Sequence, residues 1–447
     1  MKSGFVKILS YILVMLMAMS VLLTGCGGQS EESISTTGTT SEVTKQQDTS
    51  TTVEKKEPVK ITVWHPVDAT SDVTYKNLFE SISKELVDES IEVVFEPQTN
   101  ANYKEVVTTA SVAKQGADII FIWSGPDFDT FASRGVYKEL DSYYSQEKYD
   151  QLAGMEGAVY NGKTYCLPFA ISTQLAFYNK ALFQKAGVAP EDFTGGWESF
   201  KAACEKLKDA GIVPMSWANK EGYMNEWYLS IAATQSFADL KDYQENYLNK
   251  RDFTEQRYVD IINNMKYAHD NGFFYKGDTL DFGSNYLQKF LAGETAINYC
   301  GIYWLDQIKE AIGDDNVGMM YWPNISTSGK SRAIMYPVLY GIASYSQNAD
   351  AAAKVLDVLT TRESASLIYK HTNMIPANKE WDFQKDVSGE VNQKAMELIN
   401  KDQFISAYNY WNPKSLDAIY KEFSLIWSNN MTPEEWLKKF QEAQSLK

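Results

Sequence analysis

The sequence predicts an α/β protein folded as two lobes. Three observations carry that expectation. β-rich runs alternate with helical stretches from residue 59 onward, one of those runs is apolar throughout, and 447 residues are too many for a single ordinary core. A hydrophobic content of 44% with 22% charged residues is the balance of a globular chain.

The first strand is Val59-Lys60-Ile61-Thr62-Val63-Trp64, and a helical stretch over 76–89 follows it. Ile91-Glu92-Val93-Val94-Phe95 is the second strand, and a helix is expected over 103–115. Ala117-Asp118-Ile119-Ile120-Phe121-Ile122-Trp123 is the apolar run, suited to a strand covered on both faces. This rhythm predicts an open parallel sheet, in which ligands bind at the carboxyl ends of the strands. Trp64-His65 and Trp123-Ser124 occupy two such ends. The middle of the chain reads as mostly helical. Residues 197–207 have helical apolar spacing with Gly211 as the stop, and Thr432-Pro433-Glu434-Glu435 opens a helix with a capping box. Trp197, Trp427 and Trp436 fall on such helices and are expected in the core.

The N-terminus is different material. Lys2 and Lys7 precede an uncharged run over 8–23, and Leu23-Thr24-Gly25-Cys26 closes it, so residues 1–25 are expected to be a signal peptide. The tetrad resembles a bacterial lipobox, which implies acylation of Cys26. Two or more acyl chains anchor a protein stably where one does not. Residues 26–57 then form the lipidated Cys and a disordered tether rich in Ser, Thr, Glu and Gln without an aromatic residue. The formal charge of -16 argues against nucleic acid and against charge-driven adhesion to lipid, leaving the anchor as the membrane contact. Cys166, Cys204 and Cys300 match no zinc spacing, only three His occur, and no metal or cofactor is expected. Cys204 sits on a helical face, whereas Cys166 and Cys300 are candidates for a disulfide. Ser328-Gly329-Lys330-Ser331 has Asn324 where a phosphate loop needs its first Gly, so a turn is the expectation.

Four ordered segments resemble a known family. They are Gly116-Ala117-Asp118-Ile119-Ile120-Phe121 continuing to Leu140-Asp141, and Tyr160-Asn161-Gly162-Lys163 through Pro168 to Phe177-Tyr178-Asn179-Lys180. The others are Phe290-Leu291-Ala292-Gly293-Glu294-Thr295-Ala296-Ile297 with Trp304, and Tyr340-Gly341-Ile342-Ala343 with Met374-Ile375-Pro376-Ala377. In this order they are similar to the carbohydrate-type extracellular solute-binding proteins of bacterial ABC importers. The resemblance implies a periplasmic-binding-protein-like fold, two α/β lobes around a hinged ligand cleft. It implies crossovers near 167–174, 335–342 and 375–378, with lobe one at 58–169 plus 340–377 and lobe two at 170–339 plus 378–447. It also implies a monomer that binds carbohydrate, is no enzyme, and serves the permease subunits of an ABC transporter from the outer face of the membrane.

A sugar presents hydroxyls and flat C–H patches, which suit carboxylates, amides and aromatic faces. The candidate ligand-binding aromatics are Trp64 and Trp123 at strand ends, Trp304 where the family sets a stacking ring, the Trp217 and Glu226-Trp227 cluster, Trp411 in its Tyr-Asn-Tyr-Trp loop, and Tyr340 on a hinge strand. The polar candidates are His65, Asp68, Ser124 and Asp127. Packing remains an alternative for Trp64, Trp123, Trp304, Trp217, Trp227 and Trp411, and helix capping for His65 and Asp127. Two other functions fit the composition: a secreted glycoside hydrolase, which needs a carboxyl pair at a defined separation, and a receptor for a peptide or other polar solute.

Overall fold

The computed structural model describes residues 57–67, 72–327, 329–401 and 403–445. The expected signal peptide, Cys26, the tether through residue 56, and Asp68 lie outside the described residues. The main sheet has ten strands: β1 Val59–Val67, β2 Ile91–Thr99, β3 Ile119–Trp123, β4 Leu167–Asn179, β5 Val213–Met215, β6 Thr295–Gly301, β7 Val317–Met320, β8 Ala333–Ile342, β9 Ile375–Pro376 and β10 Gln403–Ile405. Its path runs β2-β1-β3-β8-β4-β6-β5, with β7 and β9 on β4 and β10 on β8.

The start of the chain follows the expected rhythm. β1 lies parallel to both β2 and β3, and the helix between the first two strands, α1, spans Asp72–Leu86. Helices α2 Tyr103–Ala113, α3 Pro126–Ser133, α4 Trp197–Asp209 and α5 Tyr223–Gln235 follow. Near the end come α6 Leu305–Ile312, α7 Pro413–Glu422 and α8 Pro433–Ser445. The capping box of α8 forms in both directions. Glu435 N–H donates to Thr432 Oγ1 at 3.2 Å, and Thr432 N–H donates to Glu435 Oε2 at 2.9 Å.

The expectation of a parallel sheet holds only at its edges. β8 runs antiparallel to β3 and to β4, and β4 runs antiparallel to β6. The physical reason is that β4 and β8 each carry the chain from one hydrophobic core to another. Leu167, Phe169 and Ala170 of β4 belong to a core built with Ile61, Val63, Ile119–Ile122 and Leu356, while Leu175–Phe177 of the same strand belong to a second core. β8 runs the other way, with Ala333 and Ile334 in the second core and Val338–Ile342 in the first. The second core gathers α4, α5, α8 and the aromatic residues Trp217, Trp322 and Trp436.

No disulfide joins Cys166 to Cys300. The two thiols sit in different cores, both fully buried and free, and Cys204 is buried on α4. Burial pushes all three thiols above their usual range, so little thiolate is present to react. Native protein is therefore expected to leave Cys166, Cys204 and Cys300 unlabelled by a maleimide, and protein in guanidinium to label all three without reductant. Peptide mass spectrometry checks this, and labelling that requires reductant would restore the disulfide.

Candidate functional site

A cavity of about 430 Å³ opens where the two cores face each other. That size falls in the range of small-ligand pockets. The first core contributes Trp123, the last residue of β3, half-buried and packed edge-on against Phe121 and Tyr103 at centroid distances of 5.1 and 6.0 Å. The second core contributes Trp227 from α5 and Trp304 from the turn after β6. Tyr303, beside Trp304, packs against both cores. Indole rings thus reach one space from both sides.

The turn behind Trp123 fixes the first polar group. Gly125 has φ +84, and a Cβ there would lie 2.9 Å from the Asn409 Cα, so glycine permits both the bend and the close approach of the 407–410 turn. Pro126 then starts α3 at a position that needs no N–H, which sets Asp127 in the first helical turn. Asp127 Oδ2 lies 2.6 Å from Lys104 Nζ and accepts from Tyr408 Oη at 3.0 Å. Since Phe128 of α3 packs in the first core and Tyr408 against the second, that last bond crosses between them. Lys104 Nζ also stands 5.7 Å from the Trp123 ring centroid, within cation–π range.

His65 lines the cavity from the end of β1 but is 3% exposed. Its Nδ1 shares a hydrogen bond with Tyr340 Oη at 2.6 Å, and the ring lies 3.7 Å from the Tyr75 centroid. Burial lowers its pKa well below the usual histidine value, so it is neutral at pH 7. Glu226, on α5, is 7% exposed. Burial pushes its carboxyl up to about 8; the nearby Asp127 charge adds to the rise, while Lys104 and a hydrogen bond with Ser230 oppose it. At neutral pH this group is mostly a carboxylic acid, able to donate as well as accept.

Of the expected site residues, His65, Trp123, Asp127, Glu226, Trp227 and Trp304 line the cavity together. Five others do not, and each has a local reason. Trp64 alternates to the opposite face of β1 from His65. There its Nε1 donates to Glu96 Oε2 at 3.0 Å, and its ring covers Gly116. Ser124 is fully buried, its Oγ donating to Asn409 Oδ1 at 3.3 Å. Trp217 stacks on Phe274 at 4.7 Å inside the second core and donates to Asp278 at 2.6 Å. Tyr340 is fully buried beneath His65, and Trp411 packs edge-on against Phe440 at 5.5 Å.

The sequence reading passed over Lys104, Gln174, Tyr223, Tyr336, Tyr408 and Tyr420, which also line the cavity. Some of them carried a cue. Gln174 and Tyr336 lie on the expected crossovers, and Tyr408 lies in the loop noted for Trp411. In the structure Gln174 Nε2 donates to Tyr336 Oη at 3.4 Å, pairing β4 with β8 across the cavity floor. Lys104 gave no cue, since a lysine in a first helical turn reads as solvated.

The profile of the bacterial extracellular solute-binding proteins matches residues 77–395. The chain belongs to that family. Among the solute-binding proteins, a maltotriose-binding protein from Pyrococcus abyssi is 27% identical over 317 residues, which are 68% of this chain. The match spans 62% of that relative's own length. An sn-glycerol-3-phosphate-binding periplasmic protein from Pectobacterium atrosepticum is 21% identical over 84% of this chain and 88% of its own. A solved chitin oligosaccharide binding protein superposes with a TM-score of 0.73 at 20% identity, covering 87% of this chain and 98% of that one. The structural likeness establishes the fold, two α/β lobes around a cleft.

Glu226 makes a stability test available for this solute-binding protein. Its folded pKa of about 8 exceeds the ordinary 4.5, so between those values the unfolded state holds fewer protons on this group. The contribution to stability is full below about 4.5, falls as pH rises through the window, and levels off above about 8. The span is on the order of 5 kcal/mol for a shift of this size. Chemical denaturation at pH 5 and 8.5 is expected to show Glu226→Gln gaining stability relative to wild type at the higher pH. Parallel curves for the two proteins would contradict the assignment.

Proposed function

We propose that this protein captures an uncharged sugar or oligosaccharide in the cavity between the two cores and delivers it to the permease subunits of an ABC importer. The observation that carries the reading is the set of indole faces, Trp123 on one side with Trp227 and Trp304 on the other, around a space that also holds Asp127, Glu226 and Gln174. Flat apolar rings match the C–H faces of a sugar, and the interspersed polar groups match its hydroxyls. Maltotriose as the ligand named for one relative supports the same class. The glycerol-phosphate relatives offer the competing chemistry, but Lys104, the one lysine lining this cavity among the described residues, already pairs with Asp127.

Lobe one is then residues 58–169 plus 340–377 and lobe two 170–339 plus 378–447, a division the two cores follow except that Ala170, Val338 and Leu339 pack in the first core and Tyr369 in the second. The ligand would hold the lobes closed through contacts available only when both faces touch it. Lipid on Cys26 would keep the monomer at the outer face of the plasma membrane, with residues 26–57 as tether, after removal of residues 1–25. The site binds without catalysing, with no metal or cofactor.

A carbohydrate library screened by thermal shift is expected to yield a stabilising sugar, since a ligand bound by the native state alone raises the melting point. That sugar should change tryptophan fluorescence with an affinity near micromolar, about -8 kcal/mol. Replacing Trp304 by Ala should weaken binding by about 2 kcal/mol or more. Replacing Trp217 by Ala should instead cost about 3–5 kcal/mol of stability, as for a core aromatic. An unaltered isotherm for Trp304→Ala removes that ring from the site, and sustained release of reducing ends from the bound sugar replaces the binding reading with a hydrolase.

A further inference from the structure

The cavity's electrostatics are unusual for a space that opens to solvent. Its charged lining among the described residues is one lysine, Lys104, against the acids Glu105, Asp127, Glu221 and Glu226. Lys104 is committed to Asp127 at 2.6 Å, and Asp127 takes a second bond from Tyr408. Glu105 and Glu221 are exposed, whereas Glu226 is buried. The groups that interact with Glu226 come from six elements besides its own. The charges of Lys104 and Asp127 act on it from α2 and α3, and a charge on Glu226 would in turn raise the phenols of Tyr299, Tyr336, Tyr408 and Tyr420 on β6, β8, the 407–410 turn and α7. On α5 itself stand Tyr223 and Ser230. No basic group in that set is left over for an ionised Glu226, and Asp127 already supplies one negative charge. A carboxylate in such a place is stripped of most of its water and has only a cation already paired with Asp127, so the neutral acid is the stable form. A neutral carboxylic acid has one O–H to give, and Trp304, lining the same cavity, has a buried Nε1–H with no partner among the described residues.

We propose, resting on the sugar-capture reading above, that Glu226 is the specificity-determining residue of the cavity. As an uncharged acid it donates a hydrogen bond to an acceptor oxygen of a neutral sugar and turns away anionic ligands. A phosphate brings nearly two negative charges. In this cavity it would meet Asp127, find Lys104 engaged, and compel Glu226 to stay protonated at higher pH without gaining a cation. A neutral sugar meets none of these costs. Binding is then linked to a proton: above the point where the empty site loses it, each captured sugar must bring one back.

Calorimetry with maltotriose, xylotriose and N-acetylchitotriose as probes, at pH 6.5, 8 and 9.5 and in buffers of different ionisation enthalpy, tests this. The trisaccharide that binds should keep its affinity between pH 6.5 and about 8 and lose on the order of 30-fold by pH 9.5, with nearly one proton taken up per sugar bound. Over that interval His65 stays neutral, and burial keeps the Tyr223, Tyr336, Tyr408 and Tyr420 hydroxyls protonated, so they add no slope. Glu226→Gln should abolish the slope and the proton uptake, whatever its affinity. Glucose 6-phosphate and sn-glycerol 3-phosphate should give no binding heat at millimolar concentration. Affinity independent of pH, proton release, or a phosphate probe that binds as tightly as the neutral ones would overturn the proposal. Silence from all three trisaccharides counts instead against the sugar reading. The Glu226 assignment is then decided by carbon NMR of its carboxyl in the unliganded protein, where a midpoint near the ordinary 4.5 overturns it and one several units higher sustains it.

Discussion

The antiparallel pairing of β4 with β8 is the constraint on which the rest of this structure depends. Tyr340 pairs with Leu167 at one end of the ladder and Ile334 with Gln174 at the other, with a shift in register between Val338 and Leu339. One end of each strand is anchored in the first core and the other end in the second. Two hydrophobic cores therefore share a hydrogen-bonded backbone, and the cavity opens where they face each other. The gap between them is where a ligand fits. A single larger core would have filled that space with side chains, and two separate sheets would have left its walls unaligned.

Polar groups near a gap of this kind must be satisfied without filling it. The structure does so asymmetrically. Asp127 is held through Oδ2 by Lys104 and Tyr408, and His65 is neutral and tied to Tyr340. Glu226 faces the opposite problem, being buried with no cation to spare, and settles it by keeping its proton. The bond from Tyr408 to Asp127 also joins the two sides directly.

Much of the architecture was legible because local chemistry and tertiary structure agree. Trp123-Ser124-Gly125-Pro126-Asp127 contains a strand end, a glycine bend and a proline-started helix, and the site follows from that order. The direction of β4 and β8 was not legible, since burial on both faces looks the same in either orientation. Trp217 and Trp411 were ambiguous because their partners, Asp278 and Phe440, lie 61 and 29 residues away in sequence. Trp64 and His65 are adjacent, and strand alternation allowed only one of them to face the cavity. Lys104 became visible only once folding set it beside Asp127, whereas Glu226 was already a candidate in the sequence and only its protonation had to await an α5 buried along nearly its whole length.

A crystal structure of the protein bound to its sugar is the most direct test of the account. It should show pyranose rings held in the space between Trp123 on one side and Trp304 on the other, with a sugar oxygen within hydrogen-bond distance of the Glu226 carboxyl. Sugar seated on an outer face of either core, with that space left to solvent, would contradict it.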